Sequence, residues 1–159
     1  MVAIPSAADG GKGPKGAAPE PAPQHNIAAG PRASRRVLIA DDTFDTRELY
    51  GLYLTQCGFA VQTVTDGEAA IEIALESQPD VIVLDLSMPR VDGITATKRL
   101  REHPRTCHIP VIVVTGFPHR AAQRSAIEAG ADVFLGKPCL PEELGKQVQR
   151  LIKQPPPAG

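Results

Sequence analysis

The sequence predicts a doubly wound α/β fold built on a five-stranded parallel sheet. Three observations predict it. Short apolar runs rich in Val, Ile and Leu recur along the chain, helical patterns separate them, and four of the runs lead into polar residues able to do chemistry. Continuous β-branched runs of four or so residues read as strands covered on both faces, which is the condition of a parallel sheet. Regular alternation with helices stacks such strands as βα units in one sheet.

The first strand is Val37-Leu38-Ile39-Ala40, and it runs into Asp41-Asp42. A helix over 43–56 follows, with Leu49, Leu52 and Tyr53 at spacings of three and four and Gly58 as a stop. Residues 59–64 alternate as a second strand. A helix over 67–78 gathers Ala70, Ile71, Ala74 and Leu75 on one face. The third strand, Val81-Ile82-Val83-Leu84, ends at Asp85. Asp92-Gly93 reads as a turn into a helix over 93–102 with Ile94, Thr97 and Leu100. The fourth strand, Val111-Ile112-Val113-Val114, ends at Thr115, and a helix over 121–129 stops at Gly130. The fifth, Val133-Phe134-Leu135, leads to Lys137. The last helix covers 141–153, opened by Pro141 in a favoured first-turn position.

Composition bounds what surrounds this core. Residues 1–34 contain 20 Pro, Gly and Ala residues, too little to bury against the entropy of ordering, and a disordered tail is expected there. The patterned domain is 35–153; the Pro-rich 154–159 cannot continue a helix and is expected to be loose. Only 22 residues follow Lys137, room for one helix and not for an appended output domain. A net charge of −1 argues against a nucleic-acid or membrane partner. Cys57, Cys107 and Cys139 are odd in number and lack C-x-x-C spacing, which disfavours a disulfide framework or zinc site and suits a reducing compartment. His25, His103, His108 and His119 share no ligand spacing, and most of them are expected to be solvated. No apolar run approaches the ~18 residues of a membrane span, no secretory h-region opens the chain, and the expected location is the cytoplasm.

In an open α/β sheet, ligands bind beyond the carboxyl ends of the strands where the strand order reverses. With order 2-1-3-4-5, strands 1 and 3 are neighbours at that point, so Asp41, Asp42 and Asp85 converge. Three carboxylates in one crevice repel, and a hard divalent cation relieves the repulsion; oxygen donors suit Mg2+. Asp85 can then act as a carboxylate nucleophile towards a phosphoryl group, with Thr115 and Lys137 as donors to its oxygens.

These residues resemble a known family. Ile39-Ala40-Asp41-Asp42, Val83-Leu84-Asp85-Leu86-Ser87-Met88-Pro89, Asp92-Gly93, Val113-Val114-Thr115-Gly116, Gly130-Ala131 and Lys137-Pro138 are similar to the motifs of response-regulator receiver domains of two-component signalling, in the right order over about 36–152. The resemblance implies a flavodoxin-like, CheY-like, stand-alone receiver in a phosphorelay. Asp85 would be the phosphoacceptor, fed by a histidine kinase or a histidine phosphotransfer protein. Mg2+ would be held by Asp42, Asp85 and the Ser87 backbone carbonyl, with Asp41 acting mainly through water. Thr115 and Lys137 would clasp the phosphoryl group, and Phe134 would be the aromatic switch that swings inward. The Lys137–Pro138 bond would be cis, although sequence alone favours trans. An output protein would read the face of the fourth helix, fifth strand and fifth helix. Such a chain is a switch catalysing only its own phosphorylation and dephosphorylation. Ser87 and Phe117, each two residues past a site residue, would flank the path of an attacking water, with Phe117 slowing hydrolysis.

Other readings weigh against these. Asp42 alone reads as a helix cap, Lys137 alone as a surface charge, Phe134 alone as core. A pseudo-receiver that binds without switching would lack an acid, the Thr or the Lys, and all are present. A flavoprotein would need a hydroxyl- and amide-rich loop after the first strand, where Asp41-Asp42-Thr43-Phe44 stands. A phosphatase with a D-x-D loop would need an acid at Ser87.

Overall fold

The computed structural model describes residues 34–153. The tails expected at 1–34 and 154–159 fall outside the described residues, Ser34 excepted. The elements alternate strictly: β1 (Arg36–Ala40), α1 (Phe44–Gln56), β2 (Ala60–Val64), α2 (Gly67–Ser77), β3 (Val81–Leu84), α3 (Gly93–Glu102), β4 (Val111–Thr115), α4 (Arg120–Ala129), β5 (Val133–Gly136) and α5 (Pro141–Lys153). All strand pairs are parallel, in the order β2-β1-β3-β4-β5.

The continuous apolar runs are explained by the two faces they serve. Leu38, Ala40, Ile82, Leu84, Val111 and Val113 face one core with Ala70 and Ala74 of α2, Ala96 and Leu100 of α3, and Ala126 of α4. Their neighbours Val37, Ile39, Val81, Val83, Ile112 and Val114 face a second core with Tyr50 and Leu54 of α1 and Leu144, Val148 and Leu151 of α5. Successive side chains of a strand point to opposite faces. A strand with a helical layer on each side therefore has no position left for a polar residue, and β1, β3 and β4 are buried almost throughout.

Local chemistry sets the helix ends. Asp66 and Asp92 cap α2 and α3, accepting from Ala69 N and Thr95 N at 2.8 Å each. Asp92 thus does what the turn reading of Asp92-Gly93 anticipated. Gln78 ends α2 one residue earlier than expected because it adopts left-handed φ 52. His119 caps α4 through Nδ1 to Ala122 N at 3.2 Å, so α4 begins at Arg120 and not 121. Gly130 ends α4 at φ 116, a conformation that costs a residue with a side chain far more than glycine. Acids in the first turn of α5 (Glu142, Glu143) and bases in the last (Arg150, Lys153) complement its dipole.

The inward face of α1 differs from the sequence pattern. Leu49 and Leu52 are 52% and 62% exposed, whereas Tyr50 and Leu54 are buried. Apolar residues occupy 49, 50, 52, 53 and 54, so two overlapping stripes fit helical spacing equally well. The packing of α1 between the sheet and α5 selects the 50/54 stripe, with Tyr53 half-buried at its edge.

Candidate functional site

Strand register brings the acids together. Ala40 pairs with Leu84, so Asp41 and Asp85 are the next residues on two adjacent strands. Backbone bonds carry the ladder into both: Asp85 N donates to Ala40 O at 3.0 Å, and Asp41 N to Val64 O at 3.2 Å. Asp41 and Asp85 are buried and Asp42 is exposed, with one carboxylate oxygen of each within 4.8 Å of the others. Gly93 lets α3 begin directly against the backbone of Asp85 and Leu86, where a side chain would collide.

The reading of Asp42 as a helix cap does not survive. The N-cap of α1 is Thr43, whose side chain makes no cap bond, and Thr43 N instead donates to Asp41 Oδ1 at 2.8 Å. Ser87 N donates to Asp85 Oδ1 at a long 3.4 Å, placing the loop after β3 beside the carboxylate.

β4 and β5 supply the cationic side of the cleft. Thr115 is buried opposite Gly136, and its Oγ1 accepts from Phe117 N at 3.2 Å, which leaves the hydroxyl proton available to donate. Lys137 follows in a cis linkage to Pro138. Its Nζ lies 2.9 Å from Asp41 Oδ2 and 3.6 Å from Asp85 Oδ2. Burial, reinforced by the charge of Asp41, pushes the Asp85 carboxyl above the ordinary range, and the Lys137 ammonium only partly offsets this. Phe134 is half-buried against the core that contains Ala126 and Val113. Phe117 is 68% exposed beyond Thr115.

The donor set fits a hard divalent cation. It offers only oxygen atoms, two of them on buried acids, of which Asp85 is only partly neutralised by Lys137. Asp41, Asp42 and Asp85 are the residues that could hold one.

Residues 37–149 match the family model described as the response regulator receiver domain. This chain belongs to that family. It is a phospho-accepting signalling domain of the two-component type. Over 119 residues it is 37% identical to the DNA-binding dual master transcriptional regulator RpaA of Synechocystis, covering 75% of this chain and 49% of RpaA. The chain thus spans about half the length of such relatives, and only 23% of the response regulator PleD of Caulobacter vibrioides. Among solved structures, the receiver domain of the sensor histidine kinase PA1611 from Pseudomonas aeruginosa, which has a magnesium ion in its active-site cleft, superposes with a TM-score of 0.72 at 27% identity, covering 77% of this chain and 100% of that one. The chemotaxis protein CheY4 of Vibrio cholerae gives 0.71 at 30% identity, covering 75% and 99%. No helix among the described residues is long and apolar enough to cross a membrane.

Several contributors to this receiver domain's cleft were not legible in its sequence. Arg47 donates to the Asp41 carbonyl at 2.8 Å and sits over the Phe44 ring. Arg90, at φ 67 in the loop after β3, pairs with the buried Asp66 at 2.8 Å and ties that loop to the start of α2. The bond from Ala69 N, aided by Arg90, holds the Asp66 carboxyl below its usual range. An unusual cation at a tight turn is a sequence signal for Arg90; its partner is 24 residues away and carries none. His103 Nδ1 accepts from Arg105 N at 3.1 Å and His103 is half-buried, whereas His119 is exposed, as expected for most of the histidines, while also capping α4. Cys139 is half-buried, and burial pushes its thiol up, which disfavours the nucleophilic thiolate.

Proposed function

We propose that this domain accepts a phosphoryl group on Asp85 from a phosphorylated histidine of a histidine kinase or a histidine phosphotransfer protein. The observation that carries the proposal is the arrangement at the β1/β3 switch point: a buried, poorly neutralised carboxylate flanked by two further acids and a lysine.

An Asp85 carboxylate oxygen attacks phosphorus, the P–O bond forms as the P–N bond breaks, and the departing electron pair returns to the imidazole nitrogen. Asp41, Asp42, Asp85 and the Ser87 backbone carbonyl would hold Mg2+. When bound, it supplies neutralisation of the charge on the transferring group, which is most of what phosphoryl transfer asks of a protein. The Lys137 ammonium, 3.6 Å from Asp85, and the free hydroxyl proton of Thr115 are the chain's own donors to the phosphoryl oxygens.

Phosphorylation draws Thr115 towards Asp85. Its β5 partner segment and Phe134 then repack, shifting a pre-existing equilibrium. The α4–β5–α5 face presents the result to an output protein. The domain modifies only itself and turns over no other substrate.

The test is incubation with acetyl phosphate and magnesium, followed by intact mass. One phosphoryl addition that requires magnesium and is absent in Asp85→Asn is the expected result. No addition, or one that persists in Asp85→Asn, overturns the reading.

A further inference from the structure

Tyr50 is buried in the middle of α1, its ring inside the core shared with α5. Its hydroxyl leaves that core and donates to the backbone carbonyl of Cys139 at 2.8 Å, across 89 residues of sequence. Burial above all, then the neighbouring Cys139 and the charge of Asp41, push the phenol up to about 12. The hydroxyl therefore keeps its proton and remains a donor at any physiological pH.

Cys139 lies two residues beyond Lys137. Before Lys137, the chain is pinned by its own N–H, which donates to the Thr115 carbonyl at 2.7 Å. After it, the chain is pinned to α1 by Tyr50. Between the two anchors the ammonium reaches Asp41 at 2.9 Å and Asp85 at 3.6 Å. The same helix holds the Asp41 carbonyl through Arg47 at 2.8 Å. α1 thus bonds to the backbone of Asp41 and to the backbone two residues past Lys137.

We propose that Tyr50 is a positioning residue for phosphoryl recognition: through the Cys139 carbonyl, its hydroxyl holds Lys137 at the reach from which the ammonium grips the group on Asp85. The inference rests on Asp85 being the phosphoacceptor. A buried tyrosine hydroxyl needs a partner in any case, so loss of stability alone does not distinguish positioning from simple satisfaction. The two ligands of the site do. The cation is held by the acids and the Ser87 carbonyl without the lysine, whereas a phosphoryl group also needs the lysine.

Calorimetric titration of full-length Tyr50→Phe with magnesium alone, then with beryllofluoride in saturating magnesium, separates them. Magnesium affinity is expected within about twofold of wild type, while beryllofluoride binds roughly fivefold more weakly, the factor one neutral hydrogen bond commands. Unchanged beryllofluoride affinity, or an equal loss for both ligands, overturns the proposal. Should the variant not fold, the wild type still decides. The chain has two tyrosines, so 3-fluorotyrosine labels only Tyr50 and Tyr53, assigned by Tyr53→Phe. The Tyr50 resonance is expected to move with beryllofluoride and magnesium and to stay put with magnesium alone; no movement with beryllofluoride overturns the proposal. A wild type that takes no phosphoryl group from acetyl phosphate, or an Asp85→Asn that does, defeats the underlying reading instead.

Discussion

Asp85 is held in a state its surroundings disfavour. Burial and the charge of Asp41 raise its carboxyl above the value of 3.8 it has when solvated. In the folded metal-free protein it binds a proton more readily than in the unfolded chain. The native state therefore holds more protons just above pH 3.8, and the Asp85 contribution to stability falls as pH rises through that window. Asp85→Asn removes this contribution. Its thermal midpoint is expected to exceed that of metal-free wild type at pH 7, with the margin shrinking towards pH 4; a margin that grows on acidification contradicts the assignment. Phe117 concerns the opposite step, loss of the phosphoryl group. Phe117, two residues past Thr115, is 68% exposed, and its ring is expected to hinder the approach of water to the phosphoryl group. Phe117→Glu, which can orient water, is expected to lose phosphate several-fold faster when decay is followed by intact mass, and an unchanged decay removes this hindrance from the account. The acids, Thr115 and Lys137 were legible because strand ends in this kind of sheet point at the ligand crevice. Tyr50, Arg47 and the Arg90–Asp66 pair were not, because each acts through a backbone carbonyl or a partner that no local pattern marks.

At the scale of elements, strands and helices were legible because nearly every side chain of a strand covered on both faces, and three to four in seven of a helix, must be apolar. The pattern fails where it is satisfied twice, as in α1. That failure gives a direct test. Leu54 is fully buried between the sheet and α5, and Leu54→Ala is expected to cost about 2–5 kcal/mol. Leu52, 62% exposed, carries no such burden, and Leu52→Ser should stay within about 0.5 kcal/mol of wild type. Equal losses on urea denaturation would restore the stripe that the sequence alone suggested. The far end of the sheet shows the same limit. Arg101 of α3 donates to the carbonyls of Gly130, Cys107 and Ile109 and pairs with Asp132 at 2.8 Å, stitching the ends of α3 and α4 to the start of β5. In the sequence it is one base in the last turn of a helix, where a base is common for the helix dipole alone.

At the scale of the molecule, the two apolar cores and the acidic cleft are linked by the same sheet. The cores set the register of β1 against β3, and the register sets Asp41 beside Asp85. Folding thus performs the work of bringing like charges together, and a ligand that relieves them should return that work as stability. A cation that binds the native cleft and not the unfolded chain, present at about a hundred times its dissociation constant, stabilises by about 2.7 kcal/mol. For a domain of this size that is a rise on the order of 10 °C in thermal midpoint. Scanning calorimetry with and without magnesium at pH 7 is expected to show such a rise, and Asp42→Asn and Asp85→Asn should each shrink it. The rise should also fade on acidification, because a proton on Asp85, favoured by burial, competes with the cation for the same oxygens. A magnesium effect that persists unchanged in both variants belongs to another part of the surface. One that is absent at pH 7 means that Lys137, 2.9 Å from Asp41 and 3.6 Å from Asp85, already neutralises the cleft without help.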